Sequence, residues 1–389
     1  MTKKWSSRLT FFAFVVLMVG LGSNDSLRGI FSTIFQEHFS LTTTQLGLIV
    51  TASYIGNLVF LLVGGNLSTR FSKKRVLQVL ILIWMAALAL FAFTSNYTML
   101  LIGMALALGS STLLNTTMNL ITPLLFATAP GFFVNFLFFT QEIGTSGSQY
   151  ILGSHADGFA FWQHTNLVLL ILGAVAFVLL LFCNVPEEAA APADAPAQKG
   201  GYDWRIIVPY VLVFGFYFIA EHGVMNWMVA YGVDGLGLPQ ASAAKYLSVF
   251  FGGMMIGRLC LSPLVDKLGA LKSLAAFGGV SCVLYLIGSL GGAVTMPVWA
   301  ISGLSFSILY PTLVMSIRLY FPAQQVSGAA GTILSIASLA DILFNVGFGK
   351  LVDMAGYAVS IRVLPLSALA FFIVFMLFTK FCKPTQKLK

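Results

Sequence analysis

Apolar stretches of roughly 18 to 25 residues follow one another along the chain, separated by short polar breaks and recurring about every 30 residues. About 20 helical residues, at 1.5 Å each, cross the roughly 30 Å hydrocarbon core of a bilayer. Inside that core the backbone must satisfy its own hydrogen bonds, which favours helices. The pattern predicts spans near 9–36, 44–69, 75–95, 97–126, 132–155 and 162–184, then 205–232, 241–266, 271–291, 294–320, 326–350 and 358–381. This is an all-α integral membrane architecture: twelve transmembrane helices in two six-helix bundles. The break after the sixth span differs from the others. Residues 185–204 are rich in Ala and Pro and carry charge, so they read as a flexible linker. The expected domains are an N-terminal bundle 1–184, a linker 185–204 and a C-terminal bundle 205–389.

Composition sharpens this picture. Only 9% of the 389 residues are charged, against about 25% in a soluble domain. Mean hydropathy is +0.92. The net charge of +8 does not point to nucleic acid, because the basic residues gather at span ends rather than on a polar face. All of the 21 Lys and Arg residues except Arg28, Lys245, Arg258, Lys350 and Arg362 fall on segments that share one side of the membrane. By the positive-inside rule that side is the cytoplasm. Both termini and the linker are then cytoplasmic, in a protein of the cell inner (plasma) membrane. The first apolar run leads into Asn24 and Asp25 rather than a small-residue cleavage site, so no removable signal is expected.

The chemistry of several function classes is missing. Cys183, Cys260, Cys282 and Cys382 show no metal-ligand spacing, and the four histidines are scattered. There is no H-E-x-x-H, no Gly-x-Ser-x-Gly and no P-loop. An enzyme, a metal or cofactor site and a self-contained ATP-driven pump are therefore not expected. A channel would need a ring of like residues, which nothing here supplies. The expected partners are a small-molecule substrate, H+ and the lipid bilayer, with no nucleic acid; a monomer is expected.

The two halves echo each other. Gly65 to Leu77 follows span two, and Ser262 to Leu274 follows span eight; each carries a small residue, a leucine two residues on and a basic tail. Internal repeats of this kind underlie many secondary transporters. The first copy resembles the loop motif of the major facilitator superfamily, G-x-L-[AS]-D-R-x-G-R-[KR], at Gly65, Leu67, Ser68, Arg70, Lys73 and Lys74. It departs at Thr69 and Ser72. The second copy has Asp266, Lys267 and Gly269. The resemblance implies a gate built on Gly65, Arg70, Lys73, Lys74, Asp266 and Lys267. Arg258 either joins that gate or partners an acid of the second half.

Within the superfamily the chain is most similar to the fucose permease-like sugar:proton symporters. The similarity lies in Asn24–Asp25, Gly257–Arg258–Leu259, the segment Gly303 to Leu313 with its Tyr310–Pro311–Thr312, and Asn135 with Gly144. It implies a secondary active transporter that moves a small polar solute, best taken as a sugar, by alternating access with proton coupling. Those symporters carry an acid in span four where this chain has Asn115, which would remove one member of a two-acid relay. A proton-driven exporter of metabolites or drugs on the same fold is the alternative; span five has the glycines of that group but not its proline.

The charges left inside spans are the candidates for coupling, since each costs at least about 2.5–3.5 kcal/mol to embed. The acids are Asp25, Glu142, Glu221 and Asp341, and the bases are Arg28 and Arg258. Asp25 and Arg28 are three residues apart and share a helix face, which suits either a proton-coupling acid tuned by a cation or a static ion pair. Glu142 is a second coupling candidate, or a structural bond between helices. Asn115, Asn119, Gln141 and Asn226 offer amides suited to hydroxyls. Trp227 and Tyr310 offer aromatic faces. With Glu221 and Asp341 these make up the expected substrate contacts. Glu221 and His222 are adjacent and point about 100° apart, so they do not face one ligand together. Pro311 predicts a break in span ten.

Overall fold

The structure is a computed structural model. It describes residues 3–126, 130–183, 185–186 and 203–384, and the linker expected at 185–204 lies almost wholly outside them. The described residues are helical throughout, with no strand. The chain divides into two compact units, Met1–Ala195 and Pro196–Lys389.

The first unit comprises α1 (Lys3–Ile30), α2 (Ser32–Phe39), α3 (Thr43–Arg70), α4 (Lys73–Phe93), α5 (Tyr97–Leu125), α6 (Pro130–Ile151) and α7 (Phe159–Leu181). The second comprises α8 (Trp204–Ala230), α9 (Gln240–Leu268), α10 (Ala270–Leu290), α11 (Met296–Ile301), α12 (Gly303–Phe306), α13 (Leu309–Ser316), α14 (Ala323–Ala355), α15 (Tyr357–Ser360) and α16 (Val363–Phe381). Among the described residues, eleven helical stretches are long and apolar enough to cross a membrane. α6 stands where the fifth span was expected.

Local signals set the helix starts. Ser72 accepts from the Arg75 amide, Asn96 from the Met99 amide and Asp203 from the Arg205 amide, each meeting a donor the first turn leaves open. Three expected spans are broken rather than continuous. Span one stops at Phe31, before the short α2. Span twelve is split between α15 and α16. Span ten is three short helices, and its second interruption falls at Ser307–Ile308. Pro311 itself lies inside α13. The interruption is four residues upstream because the proline ring clashes with the carbonyl at i−4, that of Ser307.

Both units use one packing scheme. In the first, α1 packs on α6, α3 on α5, and α4 on α7. In the second, α8 packs on α14, α9 on α12, and α10 on α16. In span order these are first with fifth, second with fourth and third with sixth, twice over. Glycines permit the closest crossings. A methyl on Gly22 would strike the Gln141 carbonyl, and one on Gly144 the Val19 carbonyl. In the second unit a methyl on Gly303 would meet the Phe250 carbonyl. Away from these contacts the helices present apolar side chains outward. On α7, Val168, Ile171, Val175 and Val178 are exposed while Leu169, Gly173, Ala176 and Leu180 are buried, as a lipid-facing helix requires.

Candidate functional site

In the first unit, polar side chains from α1, α5 and α6 converge. Ser111, Asn115 and Asn119 are four residues apart on α5 and lie along one face of it. Ser111 Oγ donates to Asp25 Oδ2 at 3.1 Å. Asn24 Nδ2 donates to Asp25 Oδ1 at 3.4 Å. Asn115 Nδ2 donates to Gln141 Oε1 at 2.6 Å, and Asn119 Nδ2 donates to Asn115 Oδ1 at 2.6 Å. Arg28 is buried, with its guanidinium carbon 5.5 Å from the centre of the Tyr54 ring on α3. It acts on Asp25 as a nearby charge, while the hydrogen bonds to the carboxylate come from Ser111 and Asn24. Glu142 is half-buried beside Gln141.

The second unit holds two polar groups on different sides of α8. His222 Nδ1 lies 2.6 Å from Asp341 Oδ2 on α14. Asp341 is 1% exposed. One turn on, Asn345 Nδ2 donates to the Asp341 main-chain carbonyl at 2.8 Å, and Asn345 Oδ1 accepts from Trp227 Nε1 at 2.9 Å. Trp227 is fully buried and packs on Phe348 with ring centroids 4.8 Å apart. It has no surface to offer a solute in this state; it ties α8 to α14. Asn226 beside it is buried too.

Glu221 takes the other side of α8, as the 100° step between neighbours requires. Its charge acts on Tyr217, Tyr285 and Tyr310. Arg258 of α9 acts on Tyr217 and Tyr310 as well, more than two turns before Lys267. The Tyr217 and Tyr310 rings stack with centroids 6.1 Å apart. Arg258 thus stands close to the aromatic pair Tyr217 and Tyr310.

The loop motif is only partly described. Gly65 and Arg70 are in the last turns of α3, but the side chains of Arg70 and Asp266 lie outside what the structure describes. Lys73 opens α4 and Lys267 is in the last turn of α9. Lys74 Nζ donates to the carbonyls of Leu181 at 3.0 Å and Cys183 at 2.8 Å, capping the end of α7. A lysine at a helix C-terminus meets both orphan carbonyls and the negative end of the dipole.

Sequence reasoning picked out Asp25, Asn115, Asn119 and Gln141 but not Ser111. Its signal was the spacing, one turn before Asn115 on the same face. Among the described residues no cluster of three His, Cys, Asp or Glu is arranged for a metal.

The Major Facilitator Superfamily sequence model matches residues 10–343. The chain belongs to that superfamily, a family of transporters and not of enzymes, and it is a multi-pass membrane protein. It is 24% identical over 406 residues to the L-fucose–proton symporter of Escherichia coli (strain K12), covering 93% of this chain and 90% of the relative. It is 27% identical over 344 residues to a glucose/galactose transporter of Brucella abortus biovar 1 (strain 9-941), covering 82% and 81%. Two solved structures share the fold. The D-xylose–proton symporter has a TM-score of 0.77 at 15% identity, covering 97% of this chain and 98% of its own. FucP in the outward conformation has a TM-score of 0.65 at 21% identity, covering 97% and 99%.

Proposed function

We propose that this chain is a proton-coupled transporter of a small polar solute, with a sugar the leading candidate, and that Asp25 carries the coupling proton. The names of its relatives support the solute class: an L-fucose–proton symporter and a glucose/galactose transporter. The setting of Asp25 carries the coupling. It is an acid within a span whose two hydrogen-bond donors, Ser111 and Asn24, are neutral. Such a carboxyl can keep its place in either protonation state, since a hydroxyl or amide does not demand a charged partner. Arg28 supplies a movable counter-charge.

In the first unit the amides of Asn115, Asn119 and Gln141 are suited to solute hydroxyls; within the second unit, taken by itself, Glu221 and Tyr310 are the candidate contacts. Glu142 is the reserve coupling acid. Gly65, Arg70 and Lys73 in the first unit, and Asp266 and Lys267 in the second, are each unit's candidate cytoplasmic gate residues, and both termini lie on that side. The test is Asp25→Asn in proteoliposomes, with L-fucose and D-glucose as probes. The folded variant should still exchange solute at equilibrium and should lose accumulation driven by a pH gradient. Uphill uptake by the folded variant would move the coupling role to Glu142.

A further inference from the structure

We propose that His222 and Asp341 form a second proton-binding site, located in the C-terminal unit and separate from Asp25. Asp341 is 1% exposed, and one of its oxygens, Oδ1, has no hydrogen-bond partner among the described residues. Its other oxygen lies 2.6 Å from His222 Nδ1, shorter than the usual contact between a cationic N–H and a carboxylate. A lone carboxylate so placed is costly, because among the described residues the imidazole is the side chain that hydrogen-bonds to it. The pair escapes that cost by sharing a proton. With the proton on Nδ1 the two groups are imidazolium and carboxylate. With the proton on Oδ2 they are imidazole and carboxylic acid, the acid hydroxyl donating to Nδ1. Both arrangements are net neutral.

The histidine side chain is 26% exposed while the acid is enclosed, so of the two groups the imidazole is the one open to exchange. Phe218 stacks on the imidazole with centroids 5.2 Å apart and rings 6° from parallel, which fixes the ring plane. The Trp227–Asn345 bond and the Asn345 bond to the Asp341 carbonyl hold the α14 turn in place without donating to the carboxylate.

Among the described residues the neighbouring ionisable groups have partners of their own. On α8 itself Glu221 addresses Tyr217, Tyr285 and Tyr310. α9 contributes Arg258, which addresses Tyr217 and Tyr310. α10 contributes Tyr285, whose hydroxyl donates to the Ala220 carbonyl. α13 contributes Tyr310, which stacks on Tyr217 and lies tilted against Phe218. The π-helical turn that ends α8 contributes Tyr231 and Asp234. On α14 the next ionisable residues, Lys350 and Asp353, are more than two turns beyond Asp341. α16 has none before Lys380.

The test needs no substrate. The full chain, labelled with 15N-histidine and purified in detergent, is followed by NMR from about pH 5 to pH 9. His222→Gln identifies the His222 signals among those of the four histidines. The His222 ring nitrogens should change across this range, and Asp341→Asn should displace the midpoint by about one pH unit or more. A ring that stays in one state throughout, or a midpoint that Asp341→Asn does not move, would overturn the proposal. Should Asp341→Asn not fold, Asp341→Glu moves the acid by one methylene and must also displace the midpoint. Asp25→Asn should leave the His222 titration unchanged, which keeps this result independent of the role of Asp25; a displaced midpoint there would overturn the separateness of the two sites.

Discussion

Ser111 of α5 donates a hydrogen bond to Asp25 of α1 at 3.1 Å, joining the embedded acid to the helix that carries the amide row. Ser111→Ala removes that donor and should cost about 1.5–3 kcal/mol of stability, the range for a bond to a charged group. Thermal unfolding in detergent measures this. The same variant should alter the pH profile of gradient-driven uptake, and Ser111→Thr should restore it. An unchanged profile in Ser111→Ala would remove Ser111 from the coupling site.

Trp227 fills the space between α8 and α14 and hydrogen-bonds Asn345. Trp227→Ala should destabilise the protein by about 3–5 kcal/mol, as large aromatic truncations in a core do. Trp227→Phe keeps most of the volume and should cost much less. If Trp227→Ala instead keeps its melting temperature and loses solute affinity, the residue is a ligand contact that this state conceals.

Lys74 tests the gate motif. Lys74→Ala removes two bonds to the end of α7 and should cost about 1 kcal/mol, seen as a lower unfolding temperature. Transport by the folded fraction should persist. A stable variant with blocked exchange would mean that Lys74 serves the gate rather than the helix end.

Orientation is open to chemical labelling. In a background without the four native cysteines, Ala193→Cys places a thiol in the linker. The distribution of basic residues predicts protection from a membrane-impermeant reagent in intact cells and reaction in inverted vesicles. Labelling of intact cells would reverse the topology.

The spans were legible because hydropathy is a local property: an apolar run of bilayer length has few other ways to fold. The doubling was legible for the same reason, since two loops with the same spacing can be compared by eye. The helix breaks were harder. Phe31 is neither Gly nor Pro, and its non-helical backbone is not signalled by its residue type. Pro311 announced a break whose position depends on the carbonyl four residues earlier. Partnerships across the fold were the least legible. Asp25 was conspicuous as a charge in a span, yet its partner Ser111 is one of many serines. His222 and Asp341 are 119 residues apart, and only the packing of α8 on α14 brings them together.

At Gly22 and Gly144, α1 and α6 meet backbone to backbone, with no side chain left between them to act as a bearing. Ser23 and Thr145 pin the crossing further, donating to the Gly144 and Gly22 carbonyls at 3.3 and 3.2 Å. Two helices joined in this way travel as a single strut. Asp25 is carried on one and Gln141 on the other, so the distance between the acid and that amide is fixed by the chassis of the first unit. A working cycle can then carry both groups past other parts of the protein without retuning one against the other.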